Sequence, residues 1–279
     1  MNDRIRTPIV AGAFYPARAD RLRDLIEGFL PLEPRPTDAL HEPFGLVVPH
    51  AGYVYSGRVA ALGFTEVARH GVPDAVVILG ASHTGIGPRV ALAPHQAWET
   101  PLGASPVDGD TVRRLQAGGI QTAEAPFERE HSIEVQVPFV QHLWGTDCPI
   151  VPICVVPGPR AETDAVAAAL VDALDGRHAL IVASSDFTHY QPHAVAEAAD
   201  REAIDRILAL DAPGFRELCR SKHLSICGTG AIEILMTTAR NLPLSAARLV
   251  SYATSGEITG DNSSVVGYAS ILFSKESHG

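Results

Sequence analysis

Three short apolar runs carry the strongest pattern in this 279-residue chain: Gly45-Leu46-Val47-Val48-Pro49, Ala75-Val76-Val77-Ile78-Leu79-Gly80 and Ala179-Leu180-Ile181-Val182-Ala183-Ser184. None alternates with polar residues, and each closes on Pro, Gly or Ser. Such runs predict strands buried on both faces, as the strands of a parallel sheet are. A fourth strand is predicted from Ile150 to Val156; Pro152 moves it toward a sheet edge or a bulge, because proline cannot donate to a ladder. Two more, Arg248 to Ala253 and Val265 to Phe273, close the chain.

Between these runs the apolar positions recur at helical spacing. Residues 19–30 place Leu22, Leu25, Ile26 and Leu30 on one face, with Asp20 near the start. Further helices are predicted over 58–69, 110–117, 132–144, 161–174, 194–209, 213–221 and 230–240, with a bend at Pro138. The connector Pro31-Leu32-Glu33-Pro34-Arg35-Pro36 breaks the first helix, and Ala51 to Gly57 reads as a Gly/Tyr loop. Residues 86–109 carry Pro88, Pro94, Pro101 and Pro106 around Trp98; they are expected to form short extended pieces of a long surface loop that walls a crevice.

Strand and helix thus alternate from end to end, with no internal repeat and no linker. The expectation is a single α/β domain over residues 1–279, with a mixed, mostly parallel central sheet flanked by helices on both faces. In such sheets ligands collect beyond the carboxyl ends of the strands. Here the first apolar run leads into His50, the second into His83, and the third into Asp186 and His189, so all four point at one shared crevice.

Composition narrows the partners. With 46% hydrophobic and 19% charged residues the chain has material for a core. A formal net charge of −10 disfavours nucleic acid or an anionic membrane, both of which reward clustered Lys and Arg. No stretch has the roughly 18 apolar residues of a membrane span, and Met1 to Arg6 leads into Pro8 rather than an apolar signal core, so a cytoplasmic protein is expected. Cys148, Cys154, Cys219 and Cys227 show no CxxC spacing, which points to reduced thiols. No Walker loop, HExxH or GxSxG occurs, so the glycine-rich stretches give no licence for nucleotide binding.

Five segments carry candidate chemistry. His50 in Pro49-His50-Ala51-Gly52 and His83 in Gly80-Ala81-Ser82-His83 are flanked by small residues that leave room beside each ring. Two neutral imidazoles at the ends of two neighbouring strands are a plausible pair of metal ligands. His131 stands at the head of a predicted helix, where an uncharged ring suits a base or a hydrogen-bond donor; the alternative is a cap that fixes the loop. Asp186 and His189 are three positions apart, a spacing that lets a carboxylate orient an imidazole in a helical turn. Cys227 precedes a glycine-rich helix entry, a location that lowers a thiol's pKa. It reads as a third ligand, a nucleophile or a small buried hydrophobe, the last being the expectation for the other three cysteines.

Six blocks then resemble the signatures of the Memo family, whose prokaryotic members are called AmmeMemoRadiSam system protein B. They are Pro49 to Gly57, Leu79 to His83, Trp98 to Gly103, Glu130 to Glu134, Ser184 to His189 and Ile226 to Gly228, in that order along nearly the whole chain. The resemblance implies a fold like that of class III extradiol dioxygenases, which hold non-haem iron with two His and a Glu. Block by block it makes His50 and His83 the imidazole ligands and His189 the catalytic base, and sets Cys227 where the dioxygenases place their carboxylate. A thiolate there shifts metal preference toward copper(I) or zinc. After Cys227-Gly228 this chain has Thr229-Gly230-Ala231, where animal members have Arg-His-Pro, so roles of those residues do not carry over. The family name further implies a radical S-adenosylmethionine protein and an AMMECR-type protein as associates.

Three functions follow as expectations. The first is a redox enzyme with Fe(II) or Cu, or else Zn, on His50, His83 and Cys227, with His189, Asp186 and His131 around it and a small molecule or peptide in the crevice. The second is a non-catalytic scaffold that binds a metal or a peptide. The third is a thiol hydrolase with Cys227 as nucleophile.

Overall fold

The computed structural model describes residues 5–30 and 37–275. Residues 1–4, the opening of the Met1 to Arg6 stretch, and the Pro31 to Pro36 connector lie outside the described residues.

In chain order the elements are β1 (Ile5–Arg6), α1 (Ala19–Phe29), β2 (Phe44–Val48), α2 (Tyr53–Ala68), β3 (Val76–Ala81), β4 (Val90–Leu92), β5 (Ala97–Thr100), β6 (Gly103–Pro106), α3 (Gly109–Ala117) and β7 (Gln121–Thr122). After two short 3-10 turns come α4 (Val137–Trp144), β8 (Ile150–Val155), α5 (Arg160–Ala173), β9 (Leu180–Ser184), β10 (His189–Gln191), α6 (His193–Leu208), α7 (Ala212–Ser221), α8 (Thr229–Ala239), β11 (Ala246–Thr254), α9 (Gly256–Thr259) and β12 (Val265–Ser274).

The main sheet runs β10-β12-β2-β9-β3-β8-β4-β7, with β11 also paired to β12. Its centre, β2-β9-β3-β8, is parallel, and both flanks turn antiparallel through β12 and β4. Side chains alternate across the pleat, and the two faces divide accordingly. Val77, Leu79, Ile181 and Ala183 join one core with α5 and α8; Val76, Ile78, Leu180 and Val182 join the other with α2 and α4. This burial on both faces is why the strand runs show no polar alternation. The fold is therefore a mixed α/β sheet covered by helices on both sides.

Several local expectations are corrected. β2 and β3 are not neighbours, because β9 inserts between them. Helix α2 begins at Tyr53 rather than 58; Gly52 caps it, and Tyr53 is buried with its hydroxyl donating to Val135 O at 2.7 Å. The helix expected from 132 starts at Val137, so Pro138 lies in its first turn, where proline lacks nothing the helix needs, and no bend is required. Pro152 is internal: Ala93 N donates to Pro152 O, and the reciprocal donor that proline lacks is where the β4 ladder ends. Residues 86–109 are no loose wall. They form β4 and the β5-β6 hairpin, which pairs with β1 in a second sheet, and Trp98 is buried with the Arg6 guanidinium 4.1 Å from its ring centre.

Candidate metal centre

Strand register sets the site. Val48 lies opposite Ser184 on one side of β9, and Gly80 lies opposite Ser184 on the other. His50 and His83, a few residues past those pairs, therefore flank the end of β9 from both sides. Their ring centres are 5.2 Å apart and meet edge to face. Two glycines permit the remaining approaches. A Cβ on Gly80 would stand 2.3 Å from Ile133 Cγ1 and 2.6 Å from Ser132 Oγ, so only glycine lets the 130–133 turn close over β3. A Cβ on Gly228 would stand 2.4 Å from Ser185 Cβ, so glycine there lets the entry to α8 press Cys227 against β9.

The turn delivers His131, whose ring stacks on His83 at 4.6 Å and meets His50 at 5.4 Å. One ring nitrogen from each of His50, His83 and His131 lies within 4.8 Å of the others. Cys227 Sγ is 3.1 Å from His50 Nε2 and accepts from Asp186 N at 3.2 Å. His50 is buried, whereas His83 is exposed, so the cluster opens to solvent on the His83 side. Phe14 of the N-terminal segment packs its ring on His131 at 4.6 Å.

His83, His50 and His189 are each oriented through Nδ1. His83 Nδ1 meets Glu130 Oε1 at 3.0 Å, and the same buried carboxylate accepts from His83 N and Ser132 N. His50 Nδ1 meets Ser184 Oγ at 3.0 Å. His189 Nδ1 meets the carbonyl of Ser225 at 2.7 Å, a group that can only accept, so Nδ1 carries the proton and Nε2 is left bare in the neutral ring. Imidazole ligands are commonly fixed this way, with the outer nitrogen donating to a carboxylate or carbonyl.

Charge follows from burial and neighbours. Burial, then the nearby His83, lowers His50 to about 3 and keeps its ring neutral. Burial and the two other rings lower His131 to about 4. No helix N-terminus is involved, since the segment after His131 is a turn that reaches its 3-10 helix only at Glu134. His83 moves the opposite way from His50: its hydrogen bond to Glu130 raises it. Burial would raise Glu130, yet the hydrogen bonds from His83 and Ser132 prevail and hold it at about 2. Cys227 also departs from expectation. Gly228 caps α8, but burial of the sulfur, reinforced by Asp186, pushes the thiol far above its ordinary range and outweighs the helix terminus.

Asp186 and His189 are close enough to interact electrostatically but form no direct hydrogen bond, because residues after Ser184 leave β9 as extended chain rather than a helical turn. Asp186 Oδ1 instead accepts from His50 N at 2.7 Å and Ala51 N at 3.3 Å, fixing the loop that bears His50. His189 is held from behind: Thr188 N donates to buried Asp200 at 2.9 Å. Sequence reading assigned no role to Glu130, Ser184, Gln136 or Asp200. The usable signal was Gln136, a lone polar residue in the apolar stretch Val135-Gln136-Val137-Pro138-Phe139.

A mixed α/β fold with imidazoles and a thiol gathered at the carboxyl ends of parallel strands defines a class of candidate metalloproteins. Comparison with known proteins makes the family specific. The profile of the Memo-like protein family matches residues 6–272, and this chain belongs to that family. MEMO1 family proteins of Pyrobaculum arsenaticum and Desulfurococcus amylolyticus are 42% and 43% identical to it over 280 and 282 residues; the matches cover 97% and 96% of this chain and 99% and 98% of theirs. The MEMO1 family protein of Thermotoga neapolitana is 41% identical over 281 residues, covering 97% of this chain and 100% of its own. Among solved structures, an uncharacterized protein from Escherichia coli K12 superposes with a TM-score of 0.55 at 15% identity, covering 82% of this chain and 99% of that one, a likeness of fold alone. Among the described residues no helix is long and apolar enough to cross a membrane.

Proposed function

We propose that this Memo-family chain is a metal-dependent redox enzyme, related in chemistry to non-haem dioxygenases. Its metal is Fe or Cu, held by His50, His83 and Cys227, with His131 as a further ring ligand. The observation that carries the reading is the convergence of three ring nitrogens within 4.8 Å, with Cys227 Sγ 3.1 Å from one of them. The donor set fits such an ion: two oriented imidazoles and a soft sulfur suit copper, iron or zinc better than a hard cation. When bound, the metal supplies Lewis acidity and one-electron chemistry that these side chains lack.

The protein's own residues do the rest. Glu130 fixes the His83 ring, and Asp186 fixes the backbone of His50. His189, half-buried with Nε2 bare, is placed to take a proton from a small substrate entering on the open side. Cys227 must lose its proton to act as a ligand, and a cation beside the sulfur offsets the burial that opposes this.

The hydrolase alternative has a thiol–imidazole contact in its favour but lacks oxyanion donors. Cys227 N and Gly228 N are committed to Asp186 O and Ser185 Oγ, and Asp186 N donates to the sulfur itself. The scaffold alternative draws on exposed Val54, Tyr55 and Tyr190 near the site, which suit a peptide.

The test is elemental analysis and anomalous scattering on protein purified without oxygen, repeated for His50→Ala. Stoichiometric iron or copper in the wild type, lost with oxygen-dependent turnover in the variant, is expected. Protein that stays metal-free after anaerobic reconstitution refutes the reading.

A further inference from the structure

We infer that Ser184, held as a hydrogen-bond acceptor by Gln136, locks His50 in the tautomer that turns a bare Nε2 toward Cys227 and the centre of the site. Neither residue touches the centre itself, so both are positioning residues, and the inference extends the metal reading above.

Counting protons carries the argument. The Gln136 amide nitrogen lies 2.9 Å from Pro49 O, a carbonyl that can only accept, so this end of the side chain is the NH2 group. Its second hydrogen points at Ser184 Oγ, 2.8 Å away. Ser184 has one proton, and that proton is spent on Ser132 O at 2.7 Å, again a carbonyl. A hydroxyl that donates once and already accepts once has a single lone pair left. That lone pair faces His50 Nδ1 at 3.0 Å, so Nδ1 must carry the hydrogen. In the neutral ring Nε2 is then bare, and it is this atom that sits 3.1 Å from Cys227 Sγ.

A second observation supports the assignment. Gln136 is fully buried, and its Oε1 has no hydrogen-bond partner among the described residues. An orphaned buried acceptor is costly and calls for a reason. Turning the amide over would set oxygen against Pro49 O and lose that bond. The side chain is kept for its two donors, and both converge on the His50 segment. His50, Ser184 and Gln136 are all out of contact with bulk water, so no solvent molecule substitutes for a lost partner.

The experiment reads the tautomer directly. Histidine labelled with nitrogen-15 is incorporated, and long-range proton–nitrogen correlation spectra of the metal-free protein show which ring nitrogen is protonated, with His50 assigned by its loss in His50→Gln. In the wild type Nδ1 is protonated and Nε2 bare. Ser184→Ala removes the acceptor and shifts the ring to the Nε2-protonated form, while Ser184→Thr, which keeps the hydroxyl, retains the wild-type form. Calorimetric titration with Zn(II) alone then shows affinity lower by roughly 10–100-fold in Ser184→Ala, the usual cost of losing an outer partner. Should Ser184→Ala not fold, Gln136→Met decides: the freed hydroxyl can turn its proton toward Nδ1, and a mixture of tautomers results.

An Nε2-protonated ring in the wild type overturns the inference, as does a ring unmoved in both Ser184→Ala and Gln136→Met. A wild-type ring bare at Nε2 in protein that takes up no Zn(II), iron or copper supports the lock and removes the metal reading, so the two fail separately.

Discussion

Replacing Glu134 with Ala should cost this protein several kcal/mol although the residue bonds to none of the three clustered rings. Its carboxylate is buried and receives Arg6 at 2.6 Å, Tyr15 OH at 2.8 Å, and the amides of Ile9 and Val10 at 3.0 Å. These bonds fasten the segment that carries Phe14 onto His131. Breaking a buried ion pair by removing one partner costs about 3–5 kcal/mol, because the remaining charge is stranded. Two features place Glu134→Ala in the lower half of that range. Arg6 keeps its hydrogen bonds to Phe127 O and Glu130 O, and the Ile9 amide belongs to an exposed residue that water can reach. The expected loss is ~3–4 kcal/mol by urea unfolding. At roughly 2–4 °C per kcal/mol for a chain near this size, Tm should fall by about 6–16 °C. The double variant Arg6→Met with Glu134→Leu should recover only the stranded-charge part, since it still leaves Tyr15 OH, the Val10 amide and the carbonyls of Phe127 and Glu130 without these partners. A loss under about 1 kcal/mol for Glu134→Ala would show the pair to be worth no more than an exposed one and would refute the reasoning.

The other predictions concern titration and packing. Burial outweighs the Arg216 ion pair and lifts Glu233 from its ordinary 4.5 to about 7. Between those values the folded protein keeps a proton that the unfolded chain has released, so this group's contribution to stability declines as pH rises through the window. Tm of the wild type relative to Glu233→Gln should therefore drop from pH 4.5 to 7, and parallel Tm profiles would contradict the shift. Gly228→Ala sets a methyl 2.4 Å from Ser185 Cβ and 2.6 Å from Ser184 O, both on or beside β9. The backbone bearing Cys227 must move, with a stability loss of about 1–3 kcal/mol by urea unfolding and weaker Zn(II) binding; an unchanged variant would mean the approach is looser than drawn.

Much of the fold was legible because its signals are local. Each long buried strand shows as an apolar run, and each amphipathic helix as a 3.6-residue recurrence, so the centres of the six strands and eight helices placed from the pattern fall where it puts them, whereas the short β1, β4 to β7, β10 and α9 were not placed. Boundaries and neighbours were less legible. The start of α2 at Tyr53 depends on a hydrogen bond to Val135 O, more than eighty residues away in the chain, and the buried β5-β6 hairpin depends on Arg6 reaching Trp98.

The residue types of the site, His50, His83, His131, Asp186, His189 and Cys227, stand out in the sequence by their place after strands and beside small residues. What each does was decided in three dimensions. A three-residue spacing suggested that Asp186 serves His189, but the chain leaves β9 extended and the carboxylate turns to His50 N. A helix entry suggested a reactive thiolate at Cys227, but burial opposes that charge more strongly than a helix terminus favours it. Identity and local propensity are written along the chain; protonation, hydrogen-bond direction and convergence depend on groups far apart in sequence and on how far water is excluded, and those exist only once β9 has slipped between β2 and β3.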